Sequence, residues 1–126
     1  MLTVKPIQSK AEQEELMLLC SATYDIDSFA YRADDGAFIG VCQFKFTNGV
    51  GVISALKYAP AVEDWEAMII MLRTAMNFMF RCGIKKSIFE KNASTEELLK
   101  KSGYRPDENG FYSIDIDKFY NTPCHS

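Results

Sequence analysis

Histidine is nearly missing from this 126-residue chain: the one copy, His125, stands next to the last residue. The four cysteines, Cys20, Cys42, Cys82 and Cys124, are scattered and form no Cys-x-x-Cys pair. A tetrahedral zinc site needs four Cys, His or acidic ligands at clustered spacing, so no metal is expected. Glycine (7) and proline (4) are sparse and no segment is of low complexity, which excludes collagen-like and disordered classes. Positive charge does not dominate either. With 14 Lys and Arg against 17 Asp and Glu the net charge is −3, so neither nucleic acid nor an acidic membrane surface is an expected partner. The longest apolar stretch is interrupted by Arg73 and Asn77 and is too short to span a bilayer. Met1 to Gln8 lacks the apolar centre of a secretory signal, and the expected location is cytoplasmic, with reduced thiols.

What the chain does hold is core material, 48% hydrophobic and 13% aromatic residues. A chain of this length is expected to form one domain, 1–126, and to bury about two-thirds of its unfolded surface. Cys20, Cys42 and Cys82 fall inside apolar periodic segments and are expected as small buried hydrophobes.

The pattern along the chain alternates strands and helices. Leu2 to Ile7 reads as a strand, then Lys10 to Cys20 as a helix with Leu16, Leu19 and Cys20 apolar. Ser9 with Glu12 has the spacing of a capping box. Ser28 to Arg32 and Ala37 to Thr47 are strands, and Asn48-Gly49 is a strong hairpin cue leading into Val50 to Tyr58. The clearest helix runs from about Asp64 to Cys82 and is closed by Gly83. Its polar residues share an arc about 100° wide, leaving about 260° apolar, from Ala67 and Met68 to Met79, Phe80 and Cys82. Two readings fit so wide an arc: burial between the sheet and neighbouring segments, or contact with a second subunit in a homodimer. Lys85 to Phe89 is a strand, Ser94 to Ser102 a helix with Ser94 and Glu97 as a second capping box, and Gly103 its stop. Asn109-Gly110 is a further hairpin cue, and Phe111 to Phe119 alternates as a strand. Hairpins require an antiparallel section, and the strand–helix–strand around Gly83 requires a parallel crossover. The expected fold is α/β, with a mixed, mostly antiparallel central sheet flanked by helices.

Several stretches in this order resemble GNAT-type N-acetyltransferases. They are Phe38-Ile-Gly40, Leu56-Lys-Tyr-Ala-Pro60, the long helix into Cys82-Gly-Ile-Lys-Lys86, then Asn92 and Leu98-Leu-Lys-Lys-Ser-Gly-Tyr104. The resemblance covers Phe38 to Tyr120, and more loosely the chain from Leu2; the family's second N-terminal helix has no room between Cys20 and Ser28. It implies a central strand that splays from its neighbour, with acetyl-CoA in the gap and its pantetheine on the strand's backbone. Leu56, Lys57, Tyr58 and Asn92 are the cofactor-binding residues so implied.

The family's pyrophosphate loop, Arg/Gln-x-x-Gly-x-Gly/Ala, falls on Glu63 to Met68, with Glu63 at the cation position and Asp64, Glu66 and Met68 at the small-residue positions. Carboxylates about 5 Å from a phosphate repel it by roughly 1 kcal/mol each in water and more in a dry cleft. Acids in a helix's first turn instead stabilise the helix, by about 0.3–1 kcal/mol each. This counts against acetyl-CoA in the ordinary mode. The tyrosine acid of many such enzymes is matched by Leu99, and Val50 to Tyr58 holds no carboxylate base. No catalytic residue is assigned; Tyr58, Tyr104, Asp115 and Asp117 each have a structural reading. The resemblance implies either a degenerate member, binding a small-molecule ligand less anionic than CoA or dimerising, or an active N-acyltransferase moving an acetyl group from acetyl-CoA to an amine.

Overall fold

The computed structural model describes residues 1–121, so Cys124 and His125 lie outside the described residues. The order is β1 (Thr3–Pro6), α1 (Lys10–Leu19), β2 (Phe29–Asp34), β3 (Phe38–Thr47), β4 (Val50–Tyr58), α2 (Trp65–Arg81), β5 (Lys86–Phe89), α3 (Glu96–Lys101), β6 (Arg105–Pro106), β7 (Tyr112–Asp115) and α4 (Ile116–Asn121). The strands form one seven-stranded sheet in the order β1-β2-β3-β4-β5-β7-β6. Every neighbouring pair is antiparallel except β4–β5, which the α2 crossover makes parallel. This is the mixed, mostly antiparallel sheet that the hairpin and crossover cues required.

Helix α2 is held at both ends by its own sequence. Asp64 is the N-cap, and its carboxylate accepts the Ala67 N–H at 3.1 Å. At the other end Gly83 takes φ +81°, and the N–H groups of Gly83 and Ile84 close back on the carbonyls of Phe80 and Met79. That is a Schellman closure, which needs a residue free to adopt the left-handed region. Ala67, Met68, Met71, Leu72, Ala75, Met76 and Met79 are buried on the sheet, against Cys42, Phe44, Ile53 and Leu56. Ile69, Phe78 and Phe80 are half-buried against the same core. The wide apolar arc is therefore largely covered within the chain. Close approach of α2 depends on Gly40, where a Cβ would come within 2.7 Å of Met68 Sδ and 2.5 Å of the Lys57 carbonyl.

The opposite sheet face is covered only in part. Helix α1 lays Leu16, Met17 and the following Cys20 on Ala30, Val41 and Ala55. The buried face of α1 also includes Gln13, while Leu19, expected inside, is 49% exposed. Positions 13, 16, 17 and 20 share the helix stripe at 3.6-residue spacing, and Leu19 falls off it.

Four further expectations are corrected. Cys82 is the C-cap of α2 and is exposed, whereas Cys20 and Cys42 are buried and burial pushes their thiols up to about 11 and about 12. Ser9 accepts the Glu12 N–H at 3.2 Å, but the Glu12 carboxylate turns to Arg32 at 3.0 Å instead of completing a capping box. The cap of α3 is Thr95, which accepts the Leu98 N–H, and Ser94 is diverted to β4. The strand over Phe111 to Phe119 ends at Asp115, whose carboxylate accepts the Lys118 N–H at 2.9 Å and starts α4. Alternation could not reveal that stop, because Ile116 is buried in a helix just as it would be in a strand.

Candidate functional site

β4 is the strand on which the site turns. It pairs with β3 from Thr47↔Val50 to Gly40↔Tyr58, but the register shifts between Gln43 and Phe44, whose partners are Ala55 and Ile53. β4 thus spends one extra residue, Ser54, as a β-bulge, and bulges bend the strand that carries them. With β5 it pairs only over Val50–Ile53 against Lys86–Phe89. The Glu90 N–H to the Ile53 carbonyl, 2.9 Å, is the last rung. Beyond it the two strands part.

The four sequence-predicted residues fall on different sides of this gap. Leu56 is fully buried, and both its backbone groups are taken by the chain itself. Its N–H donates to the Ala93 carbonyl at 2.7 Å, and its carbonyl accepts from the Ser94 hydroxyl at 2.8 Å. Asn92, with φ +62°, turns the chain so that Ala93 and Ser94 reach β4. Lys57 and Asn92 line one cleft on the α1 face. Tyr58 instead packs against the α2-side core. Its hydroxyl is buried without a hydrogen-bond partner, although the Asp64 backbone N–H approaches it without reaching hydrogen-bond geometry. Burial, with the negative charges of Glu97, Asp64 and Glu63 behind it, holds this phenol above its ordinary value.

Around Tyr58 the α2 face is acidic. Glu63 and Glu66 are exposed beside the Asp64 cap, and Met68 is buried beneath them. The cation that comes near this helix start, Lys101 of α3, lies 4.1 Å above the Trp65 ring centroid.

The α1 face of the gap is built differently. Ser21 to Asp25, β3, the bulge of β4 and Glu90 to Asn92 enclose about 400 Å³. Its floor is Gln43, fully buried in a strand otherwise apolar from Ile39 to Phe44. The Gln43 Oε1 accepts from Gln13 Nε2 (3.0 Å) and the Asp25 N–H (3.2 Å), and its Nε2 donates to the Thr23 carbonyl and to Ser54 Oγ, both at 2.9 Å. All four hydrogen-bonding positions of the amide are used. Asp25 accepts from the Asp27 N–H and the Ser28 hydroxyl and pairs with Lys45 at 3.2 Å, which holds its carboxyl below the ordinary range. Lys57 and Lys91 have no ion pair among the described residues. Gln43, Lys45, Ser54, Glu90 and Lys91 were not singled out from the sequence. The one available signal was a glutamine amid apolar strand residues.

The other sequence candidates have structural roles. Tyr104 is buried and donates to Ser87, which donates to the Gly51 carbonyl, and burial raises its pKa. Asp115 lies opposite Lys86, at the end of β5 away from the gap, and Asp117 accepts from Asn121. Leu99 lines a smaller cavity, about 300 Å³, with Phe89, Ser94 and Phe111. Among the described residues no group of three His, Cys, Asp or Glu is placed to hold a metal ion, and no helix is long and apolar enough to cross a membrane.

No family model and no curated protein matches the chain. Solved structures do. The spermidine N-acetyltransferase from Vibrio cholerae superposes with a TM-score of 0.71 over 98% of both chains at 12% identity. The IAA acetyltransferase from Bacillus cereus gives 0.69 at 21% identity, over 86% of this chain and 79% of the other. A probable acetyltransferase of the GNAT family from Chromobacterium violaceum gives 0.64 at 11% identity, over 94% and 85%. At such identities the likeness is one of architecture, and the architecture is that of the GNAT acetyltransferases.

Proposed function

We propose that this chain is a ligand-binding domain on the GNAT scaffold that has lost the ordinary use of acetyl-CoA. The observation that carries the reading is the state of Leu56. Of the backbone edge that the resemblance assigns to pantetheine, Leu56 has both its groups bonded to Ala93 and Ser94 of the same chain. A ligand would have to break a 2.7 Å and a 2.8 Å hydrogen bond to replace them, so it would gain little from the exchange. The acids at the start of α2 support the same reading, because Asp64 already satisfies the Ala67 N–H, one of those that a phosphate would seek. The residues present do not fit CoA in the family's manner. Calorimetric titration with acetyl-CoA tests this: no saturable heat is expected up to about 500 μM ligand, and a dissociation constant of about 10 μM or tighter would overturn it.

A second reading is an active N-acyltransferase using acetyl-CoA and an amine. What favours it is the parting of β4 from β5 past Ile53, with the unpartnered Tyr58 hydroxyl at the end of β4. Acetyl transfer to an amine by the purified chain would support this reading against the first.

A further inference from the structure

We propose that the cleft on the α1 face binds a small oxyanion, a carboxylate- or phosphate-bearing molecule, through Lys57, Lys91 and the Ser54 hydroxyl. This deepens the reading of the chain as a binding domain by giving its ligand a chemistry. Its cavity, about 400 Å³, lies within the range of small-molecule sites.

Several of the cleft's own polar groups are already partnered within the fold. Gln43 is fully engaged and serves as a rigid floor. Lys45 and Asp25 neutralise each other, and the hydrogen bonds from Asp27 and Ser28 take up further acceptor capacity on Asp25. Two cations are left without a carboxylate among the described residues. Lys57 is half-buried three residues past the bulge and lines the cleft; Lys91 stands at the rim, its ammonium 5.7 Å from the ring centroid of Phe111 in the neighbouring cavity, from which it has to turn to reach a ligand. Against them stands Glu90, an exposed carboxylate. The remaining donors also point to an acceptor ligand. Ser54 Oγ accepts from Gln43 at 2.9 Å, but its own donation, to the Gln43 carbonyl, is long at 3.3 Å, so its proton can swing to a bound oxygen. Hydrogen bonds to an ionised ligand are about twice as strong as neutral ones, which favours that swing. An ammonium ligand would meet two like charges, with Glu90 the one carboxylate of the cleft that has no ion pair among the described residues. The site is locally positive in a chain of net charge −3, so overall charge does not supply the attraction.

The test is an amide NMR titration of the full chain with succinate, inorganic phosphate and, as the cationic control, putrescine, all without CoA. Saturable shifts at Ser54, Lys57 and Asn92 with succinate, phosphate or both are expected; which anion gives them assigns the carboxylate or the phosphate class. Lys57→Met should weaken binding about tenfold, Lys91→Met less, and Glu90→Gln should tighten it. Lys100→Met on α3 should change nothing. Saturable binding of putrescine alone, no shifts confined to the cleft with either anion at about 10 mM, or an unchanged affinity in Lys57→Met would overturn the proposal. Because CoA is absent, failure here is separate from failure of the acetyl-CoA titration.

Discussion

The second half of β4 meets opposite charges on the two faces of the sheet. Toward α2, the negative charges of Glu97, Asp64 and Glu63 act on the Tyr58 hydroxyl; toward α1, Lys45, Lys57 and Lys91 line a cleft whose floor is Gln43. The acidic side is explained by the helix it begins, since Asp64 caps α2 and Glu66 stands in its first turn. On the basic side Lys45 pairs with Asp25 and Lys91 lies over the Phe111 ring, and Lys57 has no ion pair among the described residues. A charged group already occupied by the fold says little about ligands, and one that the fold leaves unmatched says more.

Four variants sharpen or break this contrast. The largest effect is expected at the floor of the basic cleft: Gln43→Leu keeps the volume but strands the Asp25 N–H and the Thr23 carbonyl and takes one of three acceptors from the Gln13 amide. A loss of about 2–4 kcal/mol in urea unfolding is expected; a loss under about 0.5 kcal/mol would mean that water replaces the amide. Next, reversing the acidic side with Glu63→Arg, Asp64→Gly and Glu66→Gly should raise CoA affinity at least about tenfold, or about 1.4 kcal/mol. Unchanged affinity in calorimetry would show that the acids are not what excludes CoA. Third, Tyr58→Phe removes a buried hydroxyl that has no partner, so a gain of about 1 kcal/mol is expected in the same unfolding assay. A loss of that size would mean the hydroxyl is bonded after all. The smallest effect concerns Asp25. Its folded pKa lies below the unfolded one, chiefly through the Asp27 N–H, so its stabilisation is complete above the unfolded value and is lost as pH falls through the folded one. Asp25→Asn should therefore flatten the decline of stability below about pH 4, and an identical acid limb would refute that role.

Much of the scaffold was legible because its signals are local. Asn48-Gly49 takes φ +52° and +78° between β3 and β4, as a two-residue hairpin requires, and Gly83 closes α2 through its own φ. Acids at the start of α2 were legible for the same reason, and Asp64 is its cap. The site was legible only in part. Leu56, Lys57, Tyr58 and Asn92 were placed together by resemblance, yet a one-residue bulge at Ser54 and the turn at Asn92 send them to different surroundings. Nothing in Val50 to Tyr58 marks where a bulge falls, because the shift is decided by the partner strand's register. Ser94 illustrates the same limit: its spacing from Glu97 suits a cap, but the carbonyl of Leu56 claims its hydroxyl instead.

The sequence by itself determined the order of elements, the hairpins, the ends of the main helix and the negative charge at its start, since each depends on residues a few positions apart. Tertiary structure alone decided that Ala93 and Ser94 bond to β4, that Gln43 carries a cleft, and that two lysines there have no carboxylate partner among the described residues. Those outcomes join residues 11 to 38 positions apart, and hydrogen-bond partners at that range are chosen by packing rather than by local preference.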